Sequence, residues 1–448
     1  MSDQSMKMSE LISALSHALD MTEGQPPGHC VRSCWIGMQL GKASGLQDHQ
    51  LWELYYTILL KDLGCSSNAA RICQLYATDD LDFKHDFKSV DGSLTQVLNF
   101  VLQHTGVQKG LAERFKQTLS VMRNGTQWSK ELMTTRCERG ADIARQLRFN
   151  ESVADGIRGL DEHWNGGGQP YGLKGNAIAL YSRIALLSQV IDVFFTGTGQ
   201  NACLTEVKKR RNSWFDPSLV DCFISIADDT FWTTLASTNL AEQIIQLEPA
   251  QFRVTLDEDY IDEIAAAFGQ VVDSKSPFTA GHSNRVALIT ELLAKELGYS
   301  EERRRWLKRA ALLHDVGKLG ISNSILDKPG KLTDEEFTTI KLHPGFTGEI
   351  LSRISAFTGL ADVAQAHHER MDGKGYPLGL QADQITLDTR IITTADIFDA
   401  ITADRPYRGP IPVPDALKMM AEHLDTQIDR RCYEALVKIS DELIFTDH

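Results

Sequence analysis

The sequence contains no long apolar run, no closely paired cysteines and no excess of basic residues. No stretch of about 18 apolar residues occurs in the 448, so no helix is expected to span a membrane. The opening MSDQSMKMSELISALSHAL has no uninterrupted apolar core of the kind a secretion signal needs. The eight cysteines are scattered without a CxxC pair. That excludes a disulfide framework and points to reduced thiols in a cytoplasmic protein. Lysine and arginine number 46 against 60 acidic residues, a net charge of −14. Coating DNA or RNA needs a broad basic surface, which this balance does not supply. A small dianionic substrate is still allowed, provided that metals and a few cations make one cleft positive. The length and the 42% hydrophobic content suit two or three globular domains with full cores.

The most informative stretch is HHERMDGKGYP, His367 to Pro377. Neutral imidazoles suit borderline divalent metals. Gly373, Gly375 and Pro377 stop any helix, which sets the histidine pair at a helix end beside a constrained loop. Upstream lie His282 in AGHSNRV, His314-Asp315 in LLHDVGKLG and His343 in HPGFTG; downstream lies Asp396 in TTADIFDA. These five histidines and two carboxylates form a nitrogen and oxygen donor set without thiolate, suited to iron, manganese or a similar metal. One ion rarely needs seven ligands. Two ions sharing a bridging carboxylate do, and Asp315 is the natural bridge.

The run HD…HPxxx…HHExxDGxGYP resembles the HD-GYP subgroup of the HD-domain phosphohydrolases, over about residues 257–445. The resemblance implies a helical, metal-dependent hydrolase of bacterial cyclic dinucleotides that holds iron or manganese. It implies one ion on His282, His314, Asp315 and Asp396, and a second on Asp315, His343, His367 and His368. Members with a third ion carry a glutamate where this chain has Phe278, so two divalent ions are expected. Thr347 stands where the family usually has glycine.

Two close cations clamp a phosphodiester and acidify a shared water at neutral pH. Lys318, one turn after His314, can neutralise a phosphate oxygen. Arg405 and Arg408, in DRPYRG, can grip the second phosphate bidentately, or are solvated loop cations. Tyr376 shapes the substrate or partner surface, or packs as an aromatic.

The N-terminal half repeats the C-terminal half. GHCVR at 28–32 answers GHSNR at 281–285, and LLKDLGC at 59–65 answers LLHDVGK at 312–318, both at an offset of 253. DEHWNGGGQPYGL at 161–173 answers HERMDGKGYPLGL at 368–380 at an offset of 207, as Arg183-Ile184 does Arg390-Ile391. The difference, 46 residues, is an insertion in the first copy at roughly 78–128. His29 and Asp62 survive, but Lys61, Arg136, Leu160, Asp161 and Gln189 replace His314, His343, His367, His368 and Asp396, and Cys65 replaces Lys318. A cation where a metal ligand belongs repels a metal, so the first copy is expected to hold no dinuclear centre. The KKRR run at 208–211 reads as a solvated helix face.

The expected fold is all-α, with two tandem HD-type helical domains. Residues 1–228 form a degenerate regulatory copy, 229–256 a helical linker and 257–448 the catalytic domain. The expected function is hydrolysis of 3′3′-cyclic GMP-AMP (cGAMP) or cyclic di-GMP to a linear dinucleotide. A non-catalytic cyclic-dinucleotide receptor or scaffold, and an HD nucleotidase, are the alternatives. A homodimer and a signalling partner at the GYP region are compatible with the sequence; DNA, RNA and membrane are not expected partners.

Overall fold

The computed structural model describes residues 6–90, 93–107, 109–404 and 408–440. Among them every regular element is a helix, and the few β-type pairings are isolated bridges such as Lys7 with Thr255. The all-α expectation holds. No helix among the described residues is long and apolar enough to cross a membrane. The chain divides into two compact units, Met1–Asp257 and Glu258–His448.

The second unit opens with the helix Glu258–Asp273. Its Tyr260, Ile261, Ile264, Ala265, Phe268, Val271 and Val272 recur at helical spacing and are all buried. The helix Glu301–Leu313 packs beside it. Ser300 caps that helix by accepting the Arg303 N–H at 3.3 Å, and Glu301 and Glu302 oppose the positive end of its dipole. His282–Glu296 packs against both Glu301–Leu313 and Leu387–Thr402. The core between these helices is filled by residues such as Val286, Ile289, Leu307, Ala311, Ile391 and Phe398.

Two matched pairs of glycines shape the backbone around the ligand-bearing segments. Gly281 precedes His282 in the left-handed region at φ 70°, and Gly28 precedes His29 at φ 86°. Gly317 lies so near the start of the helix His343–Ser352 that a Cβ on it would stand 2.0 Å from the His343 carbonyl oxygen. Gly64 faces Arg136 in the same way, at 1.9 Å. The two halves therefore share a backbone approach as well as sequence motifs.

In the first unit, His29–Ala43 packs on Leu180–Thr198 and on Asp48–Leu59. The inserted region holds the short helices Asp80–Phe87 and Leu94–His104 and the first turns of the 36-residue helix Leu111–Gln146. With the residues that flank it, the region forms an apolar cluster that includes Tyr76, Phe83, Phe100, Val121 and Leu132. Residues 229–256, expected as a helical linker, are largely helical and pack into this unit. Phe231 sits 4.9 Å from Trp35, and the Tyr56 hydroxyl donates to Glu248 at 2.7 Å. The solvated face expected at 208–211 needs correction at Arg210. That side chain is buried, bonded to Glu206 at 2.7 Å and laid over the Trp214 ring at 4.1 Å. A planar guanidinium stacks on an indole as readily as it hydrates.

Gly317→Ala is expected to lower stability by about 1–3 kcal/mol, because the new methyl meets backbone that cannot rotate away. A chemical denaturation curve of the variant measures this. An unchanged midpoint would mean that the two segments do not approach as described.

Candidate metal centre

Each candidate ligand sits where a helix begins or ends, except one. His282 and His343 start helices, His314-Asp315 follows Glu301–Leu313 into the 3-10 turn Val316–Gly320, and His367-His368 follow Thr358–Gln365. Asp396 projects from inside Leu387–Thr402. The seven side chains, far apart in sequence, converge. Their donor atoms form overlapping groups: His282, His314 and Asp315; His314, His367 and Asp396; His343, His367 and His368.

Asp315 is the centre of this arrangement and is buried. Its Oδ2 lies 3.3 Å from His282 Nε2 and 3.4 Å from His314 Nε2. Its Oδ1 lies 3.3 Å from His343 Nε2 and 3.7 Å from His367 Nε2. Asp396 Oδ1 joins the first side, 3.4 Å from His282 Nε2 and 3.8 Å from His314 Nε2. One carboxylate thus turns each oxygen toward a different set of imidazoles.

The backbone hydrogen bonds of three of the histidines point their free ring nitrogens inward. His314, His343 and His367 donate Nδ1–H to the carbonyls of Ala311, Ile340 and Ala364 at 2.7, 2.6 and 2.6 Å. Their Nε2 atoms are then acceptors when the rings are neutral. His343 Nε2 and His367 Nε2 face each other at 3.4 Å, two lone pairs without a proton between them. His282 Nε2, His314 Nε2 and Asp315 Oδ1 are buried with no hydrogen-bond partner. Buried orphans of this kind are costly unless a cation meets them. The residues present fit divalent ions.

Electrostatics divides the cluster. Burial works against charge on His282, but Asp315, Asp399 and Asp396 outweigh it and raise the imidazole to about 9. Burial pushes His368 down to about 3, helped by His343, and it holds His343 and His367 low as well. Asp315 and Asp396 stay well below the usual carboxylate range: burial opposes this, and the surrounding histidines, with Lys318 at Asp315, overcome it. Neutral imidazoles and ionised carboxylates are the forms that bind metal.

Several supporting residues were given no role in the sequence reading. His282 Nδ1 bonds Asp399 Oδ2 at 2.7 Å, and Arg285 Nη2 donates to the same oxygen at 3.1 Å. Thr347 stitches two ligand segments together. Its hydroxyl donates to the His314 carbonyl at 2.9 Å and accepts the Gly317 N–H at 3.0 Å. Glu369 accepts the N–H groups of Leu378, Gly379 and Leu380, which ties the GYP loop to the histidine pair. The Tyr376–Pro377 bond is cis. An Asp-x-x-Asp spacing inside one helix was the available signal for Asp399; Thr347 was marked only by its departure from the family's glycine, and Glu369 had no signal.

Lys318 reaches the cluster, with its ammonium on Asp315 Oδ2. Tyr376 lies 4.9 Å from His368, ring to ring. Both line a cavity of about 250 Å³ that His343 and His368 also border. Arg408 is spent elsewhere: its guanidinium donates to the carbonyls of Ala400, at 2.7 Å, and Ile401, at 2.8 Å. The open carbonyls at the end of Leu387–Thr402 claim it in place of a phosphate. Arg405 lies outside the described residues. Phe278 borders the cavity.

The corresponding place in the first unit is filled by side-chain cations. The Lys61 ammonium contacts Asp62 Oδ2, and Arg136 bonds Asp161 at 2.9 Å and Asp62 at 3.4 Å. His29 retains its own outer partner, Asp192, at 2.7 Å, and Arg32 donates to Asp192 at 2.5 Å. Burial and the Lys61 ammonium push His29 down to about 4, the opposite of His282. Glu23, Asp62 and Cys65 cluster as well. Lys88 pairs with Glu23 at 3.1 Å, however, and burial raises the Cys65 thiol well above its ordinary value. Those groups are neutralised without an ion.

A family model described as HD domain matches residues 116–219 and 267–432, parts of both units. The 3′3′-cGAMP-specific phosphodiesterase 3 of Vibrio cholerae is 52% identical over 432 residues, 96% of this chain and 94% of its own length. A cyclic di-GMP phosphodiesterase of Thermotoga maritima is 37% identical over 188 residues, 42% of this chain and 51% of its own. Among solved structures, the cyclic GMP-AMP-specific phosphodiesterase V-cGAP3 of V. cholerae matches at a TM-score of 0.68 and 47% identity, over 98% of both chains.

Asp399→Ala is expected to weaken metal binding about 10- to 100-fold, the usual effect of removing an outer partner of a ligating histidine. Metal titration followed by calorimetry reads it. Unchanged affinity would show that His282 needs no orienting carboxylate.

Proposed function

The chain belongs to the HD domain family, and from that premise we propose that it is a metal-dependent phosphodiesterase opening 3′3′-cGAMP to a linear dinucleotide. The observation that carries the reading is the double-facing Asp315, flanked by His282 and His314 on one oxygen and by His343 and His367 on the other. The choice of 3′3′-cGAMP over cyclic di-GMP rests on the relative so named, whose likeness extends through both units. The relative named for cyclic di-GMP matches less than half of the chain.

His282, His314, Asp315 and Asp396 would hold one divalent ion, and Asp315, His343, His367 and His368 a second, with iron or manganese suited to the donors. Such a pair, when bound, polarises a phosphodiester and supplies an acidified water. The chain's own residues do the rest. Asp399 and the carbonyls of Ala311, Ile340 and Ala364 fix the ring orientations. Lys318, at the cavity wall, meets negative charge on the phosphate, and Tyr376 shapes the wall beside His368. The first unit holds no ion and does not catalyse, since Lys61 and Arg136 already neutralise its carboxylates. We assign it a regulatory or dimerising role.

Three outcomes test this. Metal-reconstituted protein should convert 3′3′-cGAMP to its linear form faster than cyclic di-GMP, with products resolved by chromatography; binding without turnover would leave a receptor. Elemental analysis should find two ions per chain, one in His368→Ala and none in Asp315→Ala. Two ions persisting in Asp315→Ala would refute the bridge. Lys318→Ala should keep its metal and lose about 2–4 kcal/mol of transition-state stabilisation, measured as turnover at full metal occupancy. A near-normal rate would remove Lys318 from the chemistry.

A further inference from the structure

The cavity beside the metal centre has a mixed lining that the reaction alone does not require. Lys275, Ser276, Thr279, Lys318 and His368 share it with the apolar Val272, Phe278, Leu326 and Ile340. Tyr376 also lines it, its ring tilted 36° to that of His368. At about 250 Å³ the cavity falls below the ~300–1,000 Å³ of pockets that bury a whole drug-sized ligand. A cyclic dinucleotide cannot enter it entire, but one flat heterocycle can.

We propose that this cavity seats one purine base of the substrate, that Phe278 provides the stacking face, and that Tyr376 spaces the base from the metal ligands. The inference rests on the cyclic-dinucleotide reading above. Phe278 is held for such a role. It lies in the 3-10 turn Pro277–Thr279, and its N–H donates to the Ser276 hydroxyl at 3.2 Å. The nearby hydroxyls are already committed as donors. Ser276 donates to Asp327, and Thr279 to the carbonyls of Asp273 at 2.9 Å and Ser276 at 3.0 Å. The ring of Phe278 offers the base a stacking face beside these committed donors. A π-face accepts any purine. Seating one base sets the adjoining phosphate against Lys318 and the metal ligands. Phe278 is thus a positioning residue for the substrate and takes no part in the bond cleavage.

The test compares steady-state kinetics of the metal-loaded full chain with those of Phe278→Ala, Phe278→Leu and Phe278→Tyr. The alanine and leucine variants should raise KM for 3′3′-cGAMP about tenfold, within the range of a lost base–aromatic stack, while kcat changes less than about twofold. Phe278→Tyr, which keeps the ring, should restore KM. Metal content and thermal melting should match the wild type in Phe278→Leu, which preserves apolar volume. An unchanged KM in Phe278→Leu, or a loss of kcat and metal in place of a KM effect, overturns the base pocket. Wild-type protein that cleaves bis(p-nitrophenyl) phosphate but neither cyclic dinucleotide overturns the substrate reading itself.

Discussion

A buried carboxylate at the end of a helix must find positive charge, and both halves of this chain are organised around that need. Asp315 and Asp62 occupy matching positions, and both are buried. An unpaired charge in such a place costs several kcal/mol. The second unit meets its carboxylate with the Lys318 ammonium on one oxygen and with imidazoles around both, and leaves buried nitrogens that a further cation would satisfy. The first unit answers from within the chain, with the Lys61 ammonium and the Arg136 guanidinium. The one replaces the histidine just before the aspartate, and the other a histidine that faces it.

The outer framework did not change with the inner charge. Asp192 holds His29 as Asp399 holds His282, each at 2.7 Å and each with an arginine alongside. Glu162 gathers the N–H groups of Tyr171 and Leu173, as Glu369 gathers those after Pro377. Gly64 and Gly317 permit the same close crossing. One scaffold therefore supports two opposite local fields. The surviving histidines register the difference, His282 lifted toward the imidazolium and His29 held neutral.

Much of this was legible in the sequence because histidine and aspartate are conspicuous and their helix-end settings are written in glycine and proline. The convergence of the seven side chains and the central place of Asp315 among them follow expectations drawn that way. The supporting residues could not. Thr347 does its work through a backbone carbonyl and a backbone N–H, and a side chain that bonds main chain leaves no mark in residue type. Arg408 misled for the related reason that a guanidinium suits a phosphate and a helix end equally well. Only the geometry, with Ala400 and Ile401 carbonyls in reach, decides between them. Arg210 is the same lesson inside a charge run, buried by an indole four residues on.

The ion pairs in the first unit have a consequence for how the molecule ages in a cell. Lys61 and Arg136 are counter-ions that the ribosome supplies, covalently attached and always present. Asp315 has one such counter-ion in Lys318, and on the two-ion reading the rest must be drawn from the surroundings. Ligand binding to the native state adds to stability in proportion to the logarithm of ligand supply. On the proposed two-ion reading, the first unit is indifferent to transition-metal scarcity, whereas the second loses part of its folding free energy under it. Metal starvation would act on the lifetime of the second unit as well as on its turnover, and leave the first unit standing as a long-lived remnant.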